Sequence, residues 1–111
     1  MYGSSLAIEL RERAIPFRRE APFFVRYREQ VVGEYVADFL VREHLIVELK
    51  AVERLAPVHH AQVISYLRAS GLQLALLINF NAPLLREGVR RVVLTKRAPV
   101  WRDPHLPPEE S

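Results

Sequence analysis

The sequence predicts an α/β fold, a mixed central β-sheet flanked by helices, with elements in the order α-β-β-β-α-β-β. Three observations carry that prediction. Short runs of β-branched, aromatic and aliphatic residues recur at strand length, as in LIVELK and LALLINF. One long segment between two of these runs is bracketed by Pro57 and Gly71, the residues that open and close helices. The third is a chain of 111 residues, half of them apolar, which suits one domain with a real core but not two.

In chain order, residues 4–13 place Leu6, Ile8 and Leu10 among good helix formers, with a serine pair able to cap and Pro16 just beyond. Strands are expected over residues 23–27 and 31–41, with the turn between them in Gln30–Gly33. Arg42, Glu43 and His44 interrupt the apolar pattern before Leu45–Lys50, which makes a β-hairpin of the second and third strands. The second helix runs from Pro57 through His59, Gln62 and Tyr66 to its stop at Gly71. Leu74–Phe80 reads as a buried strand, and Val89–Thr95, with Arg90 and Arg91 inside it, as a more exposed edge strand. Residues 1–97 form the expected domain. Residues 98–111 carry four of the eight prolines and no periodicity, a tail whose one anchor is Trp101.

Composition narrows the function. The chain has no cysteine, so disulfides, thiol catalysis and Cys-based zinc sites are excluded, and any metal must be held by oxygen or imidazole. No apolar run approaches the roughly 20 residues needed to span a bilayer, and the first residues lack a signal-peptide layout, so the expected location is cytoplasmic with no membrane partner. The net charge is only +3, yet fourteen of the sixteen basic residues are arginine, the side chain best shaped to grip phosphate. Arg18 and Arg19, Arg26 and Arg28, Arg90 and Arg91, and Lys96 and Arg97 come in pairs that can rim a nucleic-acid groove or simply be solvated faces.

The chemistry sits on the hairpin. With its turn centred on Glu43, residues whose numbers sum to 86 face each other, which sets Asp38 opposite Glu48 on one face. Two carboxylates with Cβ atoms about 5 Å apart repel unless a cation lies between them. Lys50 shares the face of Glu48 by strand period but stands beside the pair. Mg²⁺ or Mn²⁺ suits two hard carboxylate oxygens, with the Leu49 carbonyl as a further oxygen and water or substrate phosphate filling the remaining positions. Such a centre suits phosphodiester hydrolysis, with Lys50 positioning water or offsetting developing charge. The plain alternative is a surface hairpin in which Lys50 neutralises one neighbour. Against that, Phe39, Leu40, Leu45, Ile46, Val47 and Leu49 make both strands apolar enough to be central, where unpaired carboxylates are costly. On the second helix Gln62 and Tyr66 are spaced i, i+4, with His59 three residues earlier, a polar stripe that can face the site or be a partly exposed helix face.

Asp38, then nine residues, then Glu48-Leu49-Lys50, followed one helix later by Gln62-x-x-x-Tyr66, resembles the PD-(D/E)XK nuclease superfamily, and the glutamine–tyrosine signature resembles its helicase-associated exonuclease branch. More narrowly, LAIELRERAIPFRRE, GEYVADFLV, LIVELKAV, HHAQVISYLRASG and ALLINFN resemble the small bacterial group of GxxExxY proteins, over nearly the whole chain to about Arg97. The resemblance implies the restriction-endonuclease-like core, Mg²⁺ or Mn²⁺ as cofactor, nucleic acid, chiefly DNA, as partner, and Asp38, Glu48, Lys50, Gln62 and Tyr66 as the catalytic set. Of the motif that gives the group its name only Tyr2 is present. The expectation is therefore a shortened first helix that lacks a site glutamate, which Glu9, from a different turn, replaces at best in part, and a homodimer or larger protein partner covering the apolar surface left open.

Overall fold

The computed structural model describes residues 2–94. Met1 and residues 95–111 lie outside that range, and with them the expected end of the last strand at Thr95, the Lys96–Arg97 pair, the boundary at 97 and the segment with Trp101. The element order is the predicted one: α1 (Tyr2–Glu12), β1 (Phe17–Tyr27), β2 (Gln30–Val41), β3 (Leu45–Lys50), α2 (Pro57–Ser70), β4 (Leu74–Asn79) and β5 (Val89–Val93), with a 3₁₀ turn at Leu85–Gly88 before the last strand. One sheet holds the strands in the order β1-β2-β3-β4-β5. All neighbours are antiparallel except β3 and β4, which run parallel because α2 is the crossover between them.

The helices cover opposite faces. Val63 and Leu67, one turn apart on α2 and without exposure, pack on Leu40, Ile46, Ala75, Leu77 and Val92. Full burial of each aliphatic side chain contributes about 1.5–3 kcal/mol. The other face is closed by α1, whose Ala7, Leu6 and Leu10 meet Phe39, Val41, Val47, Leu76 and Ile78. Gly71 ends α2 as predicted, in the left-handed region at φ 75°, with its N–H donating to the Leu67 carbonyl. Among the described residues no helix is long and apolar enough to cross a membrane.

Helix α1 starts at Tyr2, two residues before the expected start, and two boundaries of the first hairpin differ from the sequence reading. Strand β1 starts at Phe17, not Phe23; Arg18, Arg19, Glu20 and Pro22 obscure the alternation, and at the sheet's edge the proline forfeits no ladder bond. The first turn falls at Arg28–Glu29, not Gln30–Gly33: Tyr27 pairs with Gln30, and both turn residues have positive φ, 50° and 67°. A two-residue hairpin turn of matching twist needs that backbone, and arginine and glutamate do not announce it as Asn-Gly would. The second hairpin turns where expected, with Arg42 and Glu43 at φ 54° and 60° and the His44 N–H donating to the Val41 carbonyl.

Candidate active site

The pairing of β2 with β3 has the predicted register: Val41 faces Leu45, Leu40 faces Ile46 and Phe39 faces Val47. Beyond Phe39 the backbone ladder stops and side chains take over. The Asp38 N–H donates to Glu48 Oε1 at 3.1 Å, and the Leu49 N–H donates to Asp38 Oδ2 at 2.7 Å. Asp38 and Glu48 therefore do not stand side by side on one face; each reaches across the gap to the other strand. The cause lies in β2 and its partner. Ala37 and Leu40 both join the α2-side core while Phe39 and Val41 join the α1 side, so face alternation slips by one at Asp38. Across from this slip Glu20 has φ 51°, and the β1–β2 pairs pass from Arg19/Phe39 to Ala21/Ala37. An irregularity of this kind re-aims a side chain and ends pairing locally.

Glu48 is 6% exposed. Burial first, and the nearby Asp38 charge second, push its carboxyl up to about 7, with the Asp38 N–H and the Lys50 charge pulling the other way. The two partners together fall short of offsetting desolvation. Lys50 projects toward α2, where its Nζ donates to Gln62 Oε1 at 3.2 Å. Tyr66 lies one turn further along the helix, stacked on Tyr35 with ring centroids 3.7 Å apart and planes 5° apart. The Tyr35 hydroxyl donates to the Tyr66 carbonyl. Burial, then the Glu48 and Asp38 charges, raises the Tyr66 hydroxyl, which keeps it protonated and a donor.

The other candidates separate. His59 accepts the Ala56 N–H on Nδ1 at 2.9 Å, so it caps α2 and that ring nitrogen is spent on the helix. Glu9 is exposed on α1, 3.6 Å from Arg13. Arg18 makes a two-bond pair with Glu43 at the hairpin turn, both bonds 2.9 Å, while Arg19 lies in a cavity beside Asp38.

Asn79 is a positioning residue that the sequence reading passed over. It is 3% exposed, and its side-chain amide clamps Val52, Oδ1 accepting from the Val52 N–H at 3.0 Å and Nδ2 donating to the Val52 carbonyl at 2.9 Å. With the Phe80 N–H on the Lys50 carbonyl, this fixes the chain as it leaves β3. Gly88 passes behind: a Cβ there would collide with the Asn79 carbonyl. The available signal was one amide inside the apolar run LALLINF. At the same end of the sheet Tyr2 stacks on Phe80 at 4.5 Å, tying the start of α1 to β4.

The donor set fits a hard divalent ion. Two carboxylates and a main-chain carbonyl would offer oxygen ligands, and the raised Glu48 carboxyl reflects burial first and the Asp38 charge second, both of which a bound cation would offset. Among the described residues no third His, Asp, Glu or Cys completes a larger cluster, and Mg²⁺ needs none, since it commonly takes one or two carboxylates and keeps several waters.

A mixed sheet between two helices, with acidic residues where its central strands part, defines an α/β protein of nuclease-like architecture. Residues 1–92 match the PD-(D/E)XK nuclease superfamily, and the chain belongs to it. Membership carries a nuclease-like function, implies nucleic acid as partner, and brings the expectation of divalent metal. No curated protein matches the chain.

Proposed function

We propose that the protein is a Mg²⁺-dependent nuclease-like domain, working in the cytoplasm, that hydrolyses phosphodiester bonds with DNA as the favoured substrate. The observation that carries the reading is Glu48: a buried carboxylate crossed with that of Asp38 where the ladder breaks destabilises the fold, and a bound cation removes the conflict. Asp38, Glu48 and the Leu49 carbonyl would hold Mg²⁺ or Mn²⁺, which when bound polarises the phosphate and acidifies water.

Lys50, held by Gln62, orients the attacking water and offsets charge that develops on the phosphate. Gln62 is a hydrogen-bonding group for water or a phosphate oxygen, and Tyr66, kept protonated, is a donor to the substrate. The Gln62–Tyr66 pair supports placement in the helicase-associated exonuclease-like branch, and the long matching stretches support the GxxExxY group. A second reading, a nucleic-acid-binding module without cleavage, is favoured by the small donor set of two carboxylates. A third reading is an accessory protein-interaction subunit of a dimer or larger assembly.

The deciding experiment is cleavage of labelled single- and double-stranded DNA and RNA with Mg²⁺ or Mn²⁺, wild type against Lys50→Ala, with EDTA as control. Metal-dependent cleavage that falls by about 10²–10³ in Lys50→Ala establishes the enzyme. Salt-dependent binding with no cleavage moves the conclusion to the binding module.

A further inference from the structure

We propose that Arg19 is the substrate-phosphate ligand of this site, set beside Asp38 in a cavity where Gly3 leaves room for its guanidinium. The proposal rests on the nuclease reading and adds to it a residue outside the acid–lysine set.

The cavity, about 280 Å³, opens between the first turn of α1 and the parted ends of β1, β2 and β3, and is lined by Tyr2, Gly3, Arg19, Asp38, Phe39 and Leu49. Arg19 reaches it from β1, where it pairs with Phe39, and its guanidinium lies 5.3 Å from the Phe39 ring centroid, a cation–π contact. A Cβ built on Gly3 would stand 2.5 Å from Arg19 Nη2 and 3.8 Å from the Leu49 side chain. The helix therefore runs against the guanidinium, and any larger residue at position 3 would push it aside.

Glu20 also lines the cavity, yet among the described residues Arg19 makes no ion pair with Glu20 or Asp38. An exposed guanidinium lying over an aromatic ring and against a glycine, with its N–H fork unspent on carboxylates, matches a phosphate, which it can grip through two parallel bonds. Asp38 and Leu49, two of the proposed metal ligands, share the cavity walls, so an anion seated there lies next to the metal position.

The test is fluorescence anisotropy with labelled single- and double-stranded DNA in Ca²⁺, across a salt series, on wild type, Arg19→Ala, Arg19→Lys and Gly3→Ala. Arg19→Ala is expected to weaken binding about tenfold and to reduce the slope of log affinity against log salt by about 0.9, one phosphate contact. Arg19→Lys recovers the slope but not the full affinity, because an ammonium lacks the fork. Gly3→Ala keeps every charge and adds a better helix former, so its melting temperature equals or exceeds that of wild type while its affinity drops toward that of Arg19→Ala. The Gly3→Ala, Arg19→Ala double variant binds no more weakly than Arg19→Ala alone. Wild-type binding with an unchanged affinity and salt slope in Arg19→Ala overturns this assignment alone. Additive losses in the double variant overturn the role of Gly3. Absence of nucleic-acid binding by the wild type removes this assignment together with the nuclease reading.

Discussion

At one end β2 and β3 meet through three consecutive backbone pairs, Phe39/Val47, Leu40/Ile46 and Val41/Leu45; at the other they meet through the carboxylates of Asp38 and Glu48. The first end is apolar on both faces, with Ile46 fully buried and Phe39 1% exposed, and it closes in a tight turn. The second end leaves main-chain N–H groups to be satisfied by acidic side chains and holds Glu48 against its own solvation preference. The same two strands thus divide the labour: one end holds the fold, and the other gives up stability in order to place charge. Local strain and buried charge of this sort belong to functional sites more often than to cores.

The largest effect that separates the ends is Phe39→Ala. Deleting a buried ring tilted against Phe17 at 5.6 Å leaves a cavity and is expected to cost about 3–5 kcal/mol, enough to lower the melting temperature by about 15 °C or more. One residue away, Asp38→Asn keeps an oxygen for the Leu49 N–H, so thermal melts should show little change while Mg²⁺-dependent cleavage is lost. A large fall in stability in Asp38→Asn would place that residue with the fold-holding end and blur the division.

The next effect is a pH dependence confined to the acidic end. Native Glu48 keeps its proton to about pH 7, whereas the unfolded chain releases it near 4.5. Between these values the native state binds more protons, so stability falls as pH rises, fully present below 4.5 and lost through about 7. Metal-free protein should therefore melt lower at pH 8 than at pH 5, by about 5 °C or more. Glu48→Gln, which still offers an oxygen to the Asp38 N–H, should remove this slope and melt above wild type at pH 8, while cleaving nothing. In Mg²⁺ the wild-type slope should flatten, because a cation at the pair favours the ionised form. A wild-type slope that persists in Glu48→Gln would assign the titration to another group.

What could be read from the sequence follows the same division. Elements that bury an apolar face declare themselves: β3, β4 and α2 have their predicted ends to within a residue, because aliphatic runs, Pro57 and Gly71 act locally. The register of β2 on β3 also followed from one turn centre. The misplaced features depend on backbone conformation at residues whose side chains do not signal it, such as the left-handed Arg28, Glu29 and Glu20. The slip at Asp38 belongs to this group, and it is why opposed carboxylates became crossed ones. Asn79 on Val52, and Gly3 against Arg19, are contacts between residues distant in sequence, and no periodicity in one strand points to a partner in another element.

The smallest effect tests the apolar end at its rim. Arg18 and Glu43 form a geometrically good two-bond pair that ties β1 to the β2–β3 turn, and the pairing raises the Arg18 guanidinium and holds the Glu43 carboxyl below its usual range. Both side chains are nonetheless more than half exposed, so water and salt compete for each bond and side-chain entropy opposes it. Stability tracks buried area and ladder bonds at this end, so Arg18→Ala should melt within error of wild type at about physiological ionic strength, with a small deficit appearing only at low salt. Because Arg18 and Arg19 are neighbours of equal charge, the pair also serves as an internal control. Substitution of Arg18 should leave DNA affinity near that of wild type, whereas substitution of Arg19 should not; equal losses from both would mean that the basic rim acts through bulk charge, without a seated guanidinium.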